Sequence, residues 1–91
     1  DAVELRKLEY FIEVCEHMNM TKAAEELHVA QPSISNSIKS LEEEIGFELF
    51  DRSKRQLKLT DRGQLFLDRA KSVLNHVEDV TREMIDLGRS S

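Results

Sequence analysis

Between Thr21 and Gly46 the chain reads TKAAEELHVAQPSISNSIKSLEEEIG, and this stretch has room for two helices and a tight corner. Asn19 or Thr21 can cap the first, since either side-chain oxygen can accept an orphan N–H of the opening turn. Ala23, Ala24 and Leu27 then face inward, and two alanines in one turn let another helix cross closely. His28-Val29-Ala30 makes the corner. Glycine is common in such turns, and His is one of the few other residues enriched at positive φ. Gln31-Pro32 opens the second helix, because proline's missing N–H is not needed in the first turn. Ile34, Ile38, Leu41 and Ile45 recur at intervals of 4, 3 and 4 and form one buried stripe. Asn36 lies almost opposite, flanked by Lys39 and Ser40, while Gln31, Ser33 and Ser35 crowd the first turn. The exposed start of this helix is therefore polar and uncharged. Gly46 ends it.

The segments on either side read as support. Leu5, Leu8, Phe11, Ile12 and Cys15 trace one face of a helix from Glu4 to about Cys15. Residues 1–3 are expected to be disordered, and His17 to Met20 make a corner. Cys15 reads as a small buried hydrophobe. Past Gly46 the period changes. Leu49-Phe50-Asp51-Arg52 and Leu57-Lys58-Leu59 flank a polar tip, Ser53 to Gln56, and predict a small hairpin that leans on the helices through its apolar residues.

Thr60 caps a last helix, with Asp61 in its first turn. It runs to about Leu87, some 40 Å at 1.5 Å per residue. Phe66, Ala70, Val73, Val77, Val80, Met84 and Leu87 follow at 4, 3, 4, 3, 4, 3, a heptad seam. A helix this long overshoots so small a body, so the seam predicts a subunit interface. Gly63 is either a weak point or a close contact. Gly88 onwards reads as the start of a linker.

Composition bounds the function. Ninety-one residues make one small domain, and one cysteine excludes an intrachain disulfide or a cysteine metal cluster. No apolar run approaches the roughly 20 residues that span a bilayer, and no signal segment opens the chain, so a cytoplasmic protein is expected. There is no nucleophile–base pair, glycine-rich phosphate loop or metal-ligand spacing, so neither an enzyme nor a cofactor is expected. The net charge of −5 argues against a nucleic-acid partner. Its distribution argues otherwise, because Arg52, Lys54, Arg55 and Lys58 stand in seven residues without an acid. Screening confines their field to about 10 Å at 0.1 M salt, so a local patch can grip phosphate on an acidic body.

Together these elements predict a mainly α fold, a winged helix-turn-helix of three helices and a β-hairpin wing over residues 1–59. A long dimerisation helix follows over 60–88, and 89–91 begin a hinge. The major groove of DNA admits one helix, and Gln, Asn and Ser suit its base edges. Gln31, Pro32, Ser33, Ser35 and Asn36 are the candidate major-groove residues. Thr21, Lys22, Lys39, Arg52 and Lys54 are the candidate phosphate contacts. Arg55, at the hairpin tip, suits a narrow A·T minor groove. The competing reading is a helical assembly module without DNA, motivated by the seam and the net acidity.

The chain resembles the N-terminal DNA-binding domain of LysR-type transcriptional regulators over nearly all its length. LRKLEYF (5–11) is similar to the family's opening helix. TKAAEELHVAQPSIS (21–35) resembles its helix-turn-helix signature, LEEEIGFELFDR (41–52) its continuation into the wing, and TDRG (60–63) the entry to its linker helix. The resemblance implies a homodimer paired through antiparallel long helices, on an inverted-repeat site in double-stranded DNA. It also implies a C-terminal effector-binding domain beyond this chain, through which a small molecule would act, and it allows a tetramer in the full-length protein. It implies that Gln31, Pro32, Ser33 and Ser35 carry recognition and Arg55 the wing contact. Many members have Arg where this chain has Asn36, so a guanine contact is not carried over there. Ser53 stands at the wing tip where glycine is common.

Overall fold

The computed structural model describes residues 3–90. Four helices and one hairpin follow in the order α1 (Leu5–His17), α2 (Met20–Leu27), α3 (Gln31–Ile45), β1 (Phe50–Asp51), β2 (Lys58–Leu59) and α4 (Asp61–Arg89). The strands are antiparallel, with Phe50 opposite Leu59 and Asp51 opposite Lys58. Among the described residues no helix is long and apolar enough to cross a membrane.

Each helix boundary has a local cause. Asn19, not Thr21, caps α2: its Oδ1 accepts the Lys22 N–H at 2.9 Å, leaving Thr21 in the first turn. Met18 takes a left-handed conformation (φ 49°) at the end of α1, which extends two residues past its predicted end at Cys15. His28 does the same after α2 (φ 57°), and the following Val29 N–H returns to the Ala24 carbonyl at 3.0 Å. This bond closes the helix end and lets the chain turn without glycine. Gly46 ends α3 at φ 85°. Thr60 caps α4 by accepting the Gly63 N–H at 2.9 Å.

The core is one cluster. Leu8, Phe11 and Val14 of α1 meet Ala23 and Ala24 of α2, Ile34, Ile38 and Leu41 of α3, Leu49 and Phe50 of the hairpin, and Leu67 and Ala70 of α4. Phe11 is its hub, in edge contact with Phe50 at 5.5 Å and with Phe66 at 5.4 Å between ring centroids. Such aromatic pairs add about 0.5–1.5 kcal/mol beyond their buried area. Val14, not read as a core residue, is fully buried, whereas Leu5, read as part of the α1 stripe, is exposed. Val3, expected to be disordered, packs against the core; Asp1 and Ala2 lie outside the described residues.

Two readings of α4 need correction, and the choice left open at Gly63 is decided. Ala70 is 2% exposed, so it belongs to the interior of this protomer and not to a free seam, and Phe66, half-buried, packs against the same core. Gly63 is a close contact: a side chain there would collide with the Leu49 carbonyl. The helix runs through Gly88 to Arg89, so the linker does not begin at Gly88. Beyond Ala70, Val73, Val77, Val80, Met84 and Leu87 are all exposed. They form an apolar stripe on a rod of about 43 Å, which sets the 56 Å long axis of the molecule.

Candidate nucleic-acid interface

The start of α3 is presented as the heptad-like burial of its other face requires. Ile34 and Ile38 anchor it in the core, and Gln31, Pro32, Ser33 and Asn36 stand exposed with Ser35 half-buried. Ala30, the N-cap residue, has no side-chain acceptor. Pro32 carries no N–H and the Ser33 N–H donates to the Ala30 carbonyl at 3.0 Å, which leaves the Gln31 N–H to an outside acceptor or water.

The wing folds back over the first corner. Arg55, Gln56 and Leu57 form one wall of a cleft of about 630 Å³, and His17, Met18, Asn19 and Met20 form the other. Arg55 thus stands across from the start of α2, where Thr21 and Lys22 are exposed. At the wing tip Asp51 Oδ1 accepts the Ser53 N–H at 2.9 Å and the Ser53 hydroxyl at 2.6 Å. These bonds hold the Asp51 carboxyl below the usual carboxylate range. They are a turn device that suits Ser53 where glycine was the expected residue. Lys54 and Arg55 follow this turn and are exposed.

Two candidate phosphate contacts, both exposed, have acids of the protein beside them. The Arg52 side chain is 44% exposed, and its guanidinium pairs with the Glu42 carboxylate at 3.1 Å. The cause of that contact is simple, a carboxylate within reach on α3. Lys39 borders a shallow groove of about 330 Å³ that it shares with Glu42, Glu43 and Glu48, so acids stand close to it. Glu42 itself was not among the candidate residues. Neither was Lys7, whose ammonium bonds to Ser40 Oγ at 2.9 Å and to Glu44, tying α1 to α3. The Lys7 ammonium holds the Glu44 carboxyl below its ordinary range. No periodic signal marks either residue, because their partners are distant in the chain.

His17 Nε2 lies 3.2 Å from Glu13 Oε1, with Glu16 also near. The spacing is that of an i, i+4 pair on a helix surface. Cys15 is half-buried, and burial pushes its thiol up to about 12, Lys71 opposing the shift.

A family of bacterial regulatory helix-turn-helix proteins, the lysR family, matches residues 5–64. The HTH-type transcriptional regulator BsdA of Bacillus subtilis is 44% identical over 86 residues, which are 93% of this chain and 30% of BsdA. The regulator BenM of Acinetobacter baylyi is 42% identical over 78 residues, 86% of this chain and 26% of BenM. The chain thus spans less than a third of the length of the curated relatives it matches. Among solved structures, the BenM DBD in complex with catB site 1 DNA superposes with a TM-score of 0.92 at 38% identity, over 97% of this chain and 99% of that one. The CbnR DBD–DNA complex superposes at 0.87 and 38%, over 94% and 99%.

Proposed function

The chain belongs to the lysR family of bacterial regulatory helix-turn-helix proteins, and from that premise we propose that it reads double-stranded DNA as a dimer for a longer cytoplasmic regulator. The observation that carries this reading is the exposure, on one small body, of both a polar α3 start and an arginine-tipped wing. Both sit on a body whose backbone matches, at a TM-score of 0.92, a domain solved on DNA. In this reading Gln31, Pro32, Ser33, Ser35 and Asn36 enter the major groove, whose base edges differ in donors and acceptors. Arg55 enters the adjacent minor groove, where narrow A·T segments attract arginine. Thr21, Lys22, Lys39 and Lys54 hold phosphates and fix the register. The exposed stripe from Val73 to Leu87 buries against a second copy, giving two half-sites related by a two-fold axis. An effector would act through a domain beyond this chain.

The test is selection from randomised duplexes, followed by titration of the winner at two salt concentrations. An inverted repeat, with log affinity falling by about 0.9 per phosphate contact for each unit of log salt, is the expected result. No enrichment from a folded, dimeric chain would favour the assembly-module reading instead.

A further inference from the structure

Arg52 belongs to the basic run of the wing by sequence, yet its guanidinium is turned back onto the protein. Nη2 donates to Glu42 Oε1 at 3.1 Å, and Nη1 donates to Oε2 at 3.3 Å. The same Oε2 accepts the N–H groups of Leu49 at 2.7 Å and Phe50 at 3.3 Å. Four donors from the root of the wing thus converge on one carboxylate of α3, whose side chain is 10% exposed. The other face of the Leu49 peptide is held as well. Its carbonyl accepts the Thr60 N–H at 2.9 Å and the Thr60 hydroxyl at 3.3 Å.

A hairpin with two residues per strand has little stability of its own. Its direction is therefore set by whatever its root is fixed to. A two-toothed arginine–carboxylate pair fixes orientation as well as distance, and the two backbone N–H groups prevent the carboxylate from swinging away. We propose that Glu42 is a positioning residue for DNA reading. It locks the wing to α3, so that Arg55 and the start of α3 reach adjacent grooves in one fixed relation. Arg52 is the second arm of this strut and not a phosphate anchor. The proposal rests on the DNA reading above.

The test compares the 91-residue chain with Glu42→Ala, Glu42→Gln, Arg52→Lys, Arg52→Ala, Arg55→Ala and the Glu42→Ala/Arg55→Ala double variant. Two duplexes are used, with the same selected half-sites and either A·T-rich or G·C-rich flanks. Removing a carboxylate strengthens binding to any polyanion, so absolute affinity is a poor readout, whereas the ratio between flanks cancels that effect. Glu42→Ala should lose the flank preference to the same extent as Arg55→Ala, and the double variant should lose no more. Preference for bases inside the half-site should persist in all of them. Arg52→Ala should lose the flank preference with no change in salt slope, and Arg52→Lys should keep part of it. A full flank preference in Glu42→Ala overturns the proposal. So does a salt slope reduced by about 0.9 in Arg52→Ala, which would make Arg52 a phosphate contact. If Glu42→Ala fails to fold, Glu42→Gln, which keeps an acceptor oxygen, is read in its place. Amide exchange of Leu49 and Phe50 separates the strut from the DNA reading. Faster exchange in Glu42→Ala, with no duplex selected by the unaltered chain, would uphold the strut and defeat the DNA reading; unchanged exchange overturns the strut whatever DNA does.

Discussion

Phe66 of the long helix stands edge-on to Phe11 of α1, with centroids 5.4 Å and planes 64° apart. This contact divides one continuous heptad pattern into two parts with different partners. The turns from Phe66 to Ala70 complete the core of their own protomer, and the seam residues from Val73 to Leu87 are exposed.

The two parts should respond differently to the same substitution. Val77→Asp with Met84→Asp, at positions 41% and 52% exposed, should leave the fold intact and give monomers in sedimentation. Ala70→Asp, at a 2% exposed position, places an unpaired charge in the core. It should cost about 3 kcal/mol or more, a large share of the ~5–15 kcal/mol of a typical domain. A persisting dimer in the double variant would move the subunit interface elsewhere.

Glycine-to-alanine changes within α4 should have opposite signs. At Gly63 the new methyl meets the Leu49 carbonyl, and overpacking of about 1–3 kcal/mol outweighs a helix-propensity gain of about 0.5–1 kcal/mol. Thermal melts should show a lower midpoint, by roughly 4–8 °C per kcal/mol in a domain of this size. At Gly88 nothing lies within 4 Å, so alanine should firm the end of the helix and raise helicity by circular dichroism. A stabilised Gly63→Ala would refute the close contact.

Asn36 is exposed on the face of α3 opposite Ile34 and Ile38. Asparagine pairs with adenine and arginine with guanine in the major groove. Asn36→Arg should therefore shift selection toward guanine at one position of each half-site. The expected discrimination is about 1–3 kcal/mol per base pair. An unchanged selection profile would remove Asn36 from the readers.

Burial pushes the Cys15 thiol up to about 12 from an ordinary value of 9.0. The folded state keeps this proton between those limits, while the unfolded chain releases it. The associated stability is therefore complete below about pH 9 and lost as pH rises toward 12. At pH 8 the thiolate is scarce, so iodoacetamide should label native Cys15 far more slowly than the urea-unfolded chain. Equal rates would show that the thiol is open and unperturbed.

Local chemistry was legible in the chain because its causes are local. The stripe Ile34, Ile38 and Leu41 requires a helix, His28 tolerates a left-handed corner, and Thr60 offers an oxygen to the turn that follows it. Each involves residues within about four positions of one another, the reach of a helical turn. The polar start of α3 and the exposed wing arginine follow from that patterning alone. Tertiary structure decided the rest. Arg52 and Arg55 belong to one basic run, but only Arg52 has Glu42 within reach, and Glu42 lies ten residues earlier in the chain. Phe66 and Val73 occupy equivalent heptad positions, but only Phe66 meets Phe11. Gly63 sits where Leu49 passes, fourteen residues upstream. A hydrophobic period states that a face must be covered, and a charge states that it must be solvated or paired. Which neighbour does so depends on how the elements pack, and no spacing within a single element encodes that.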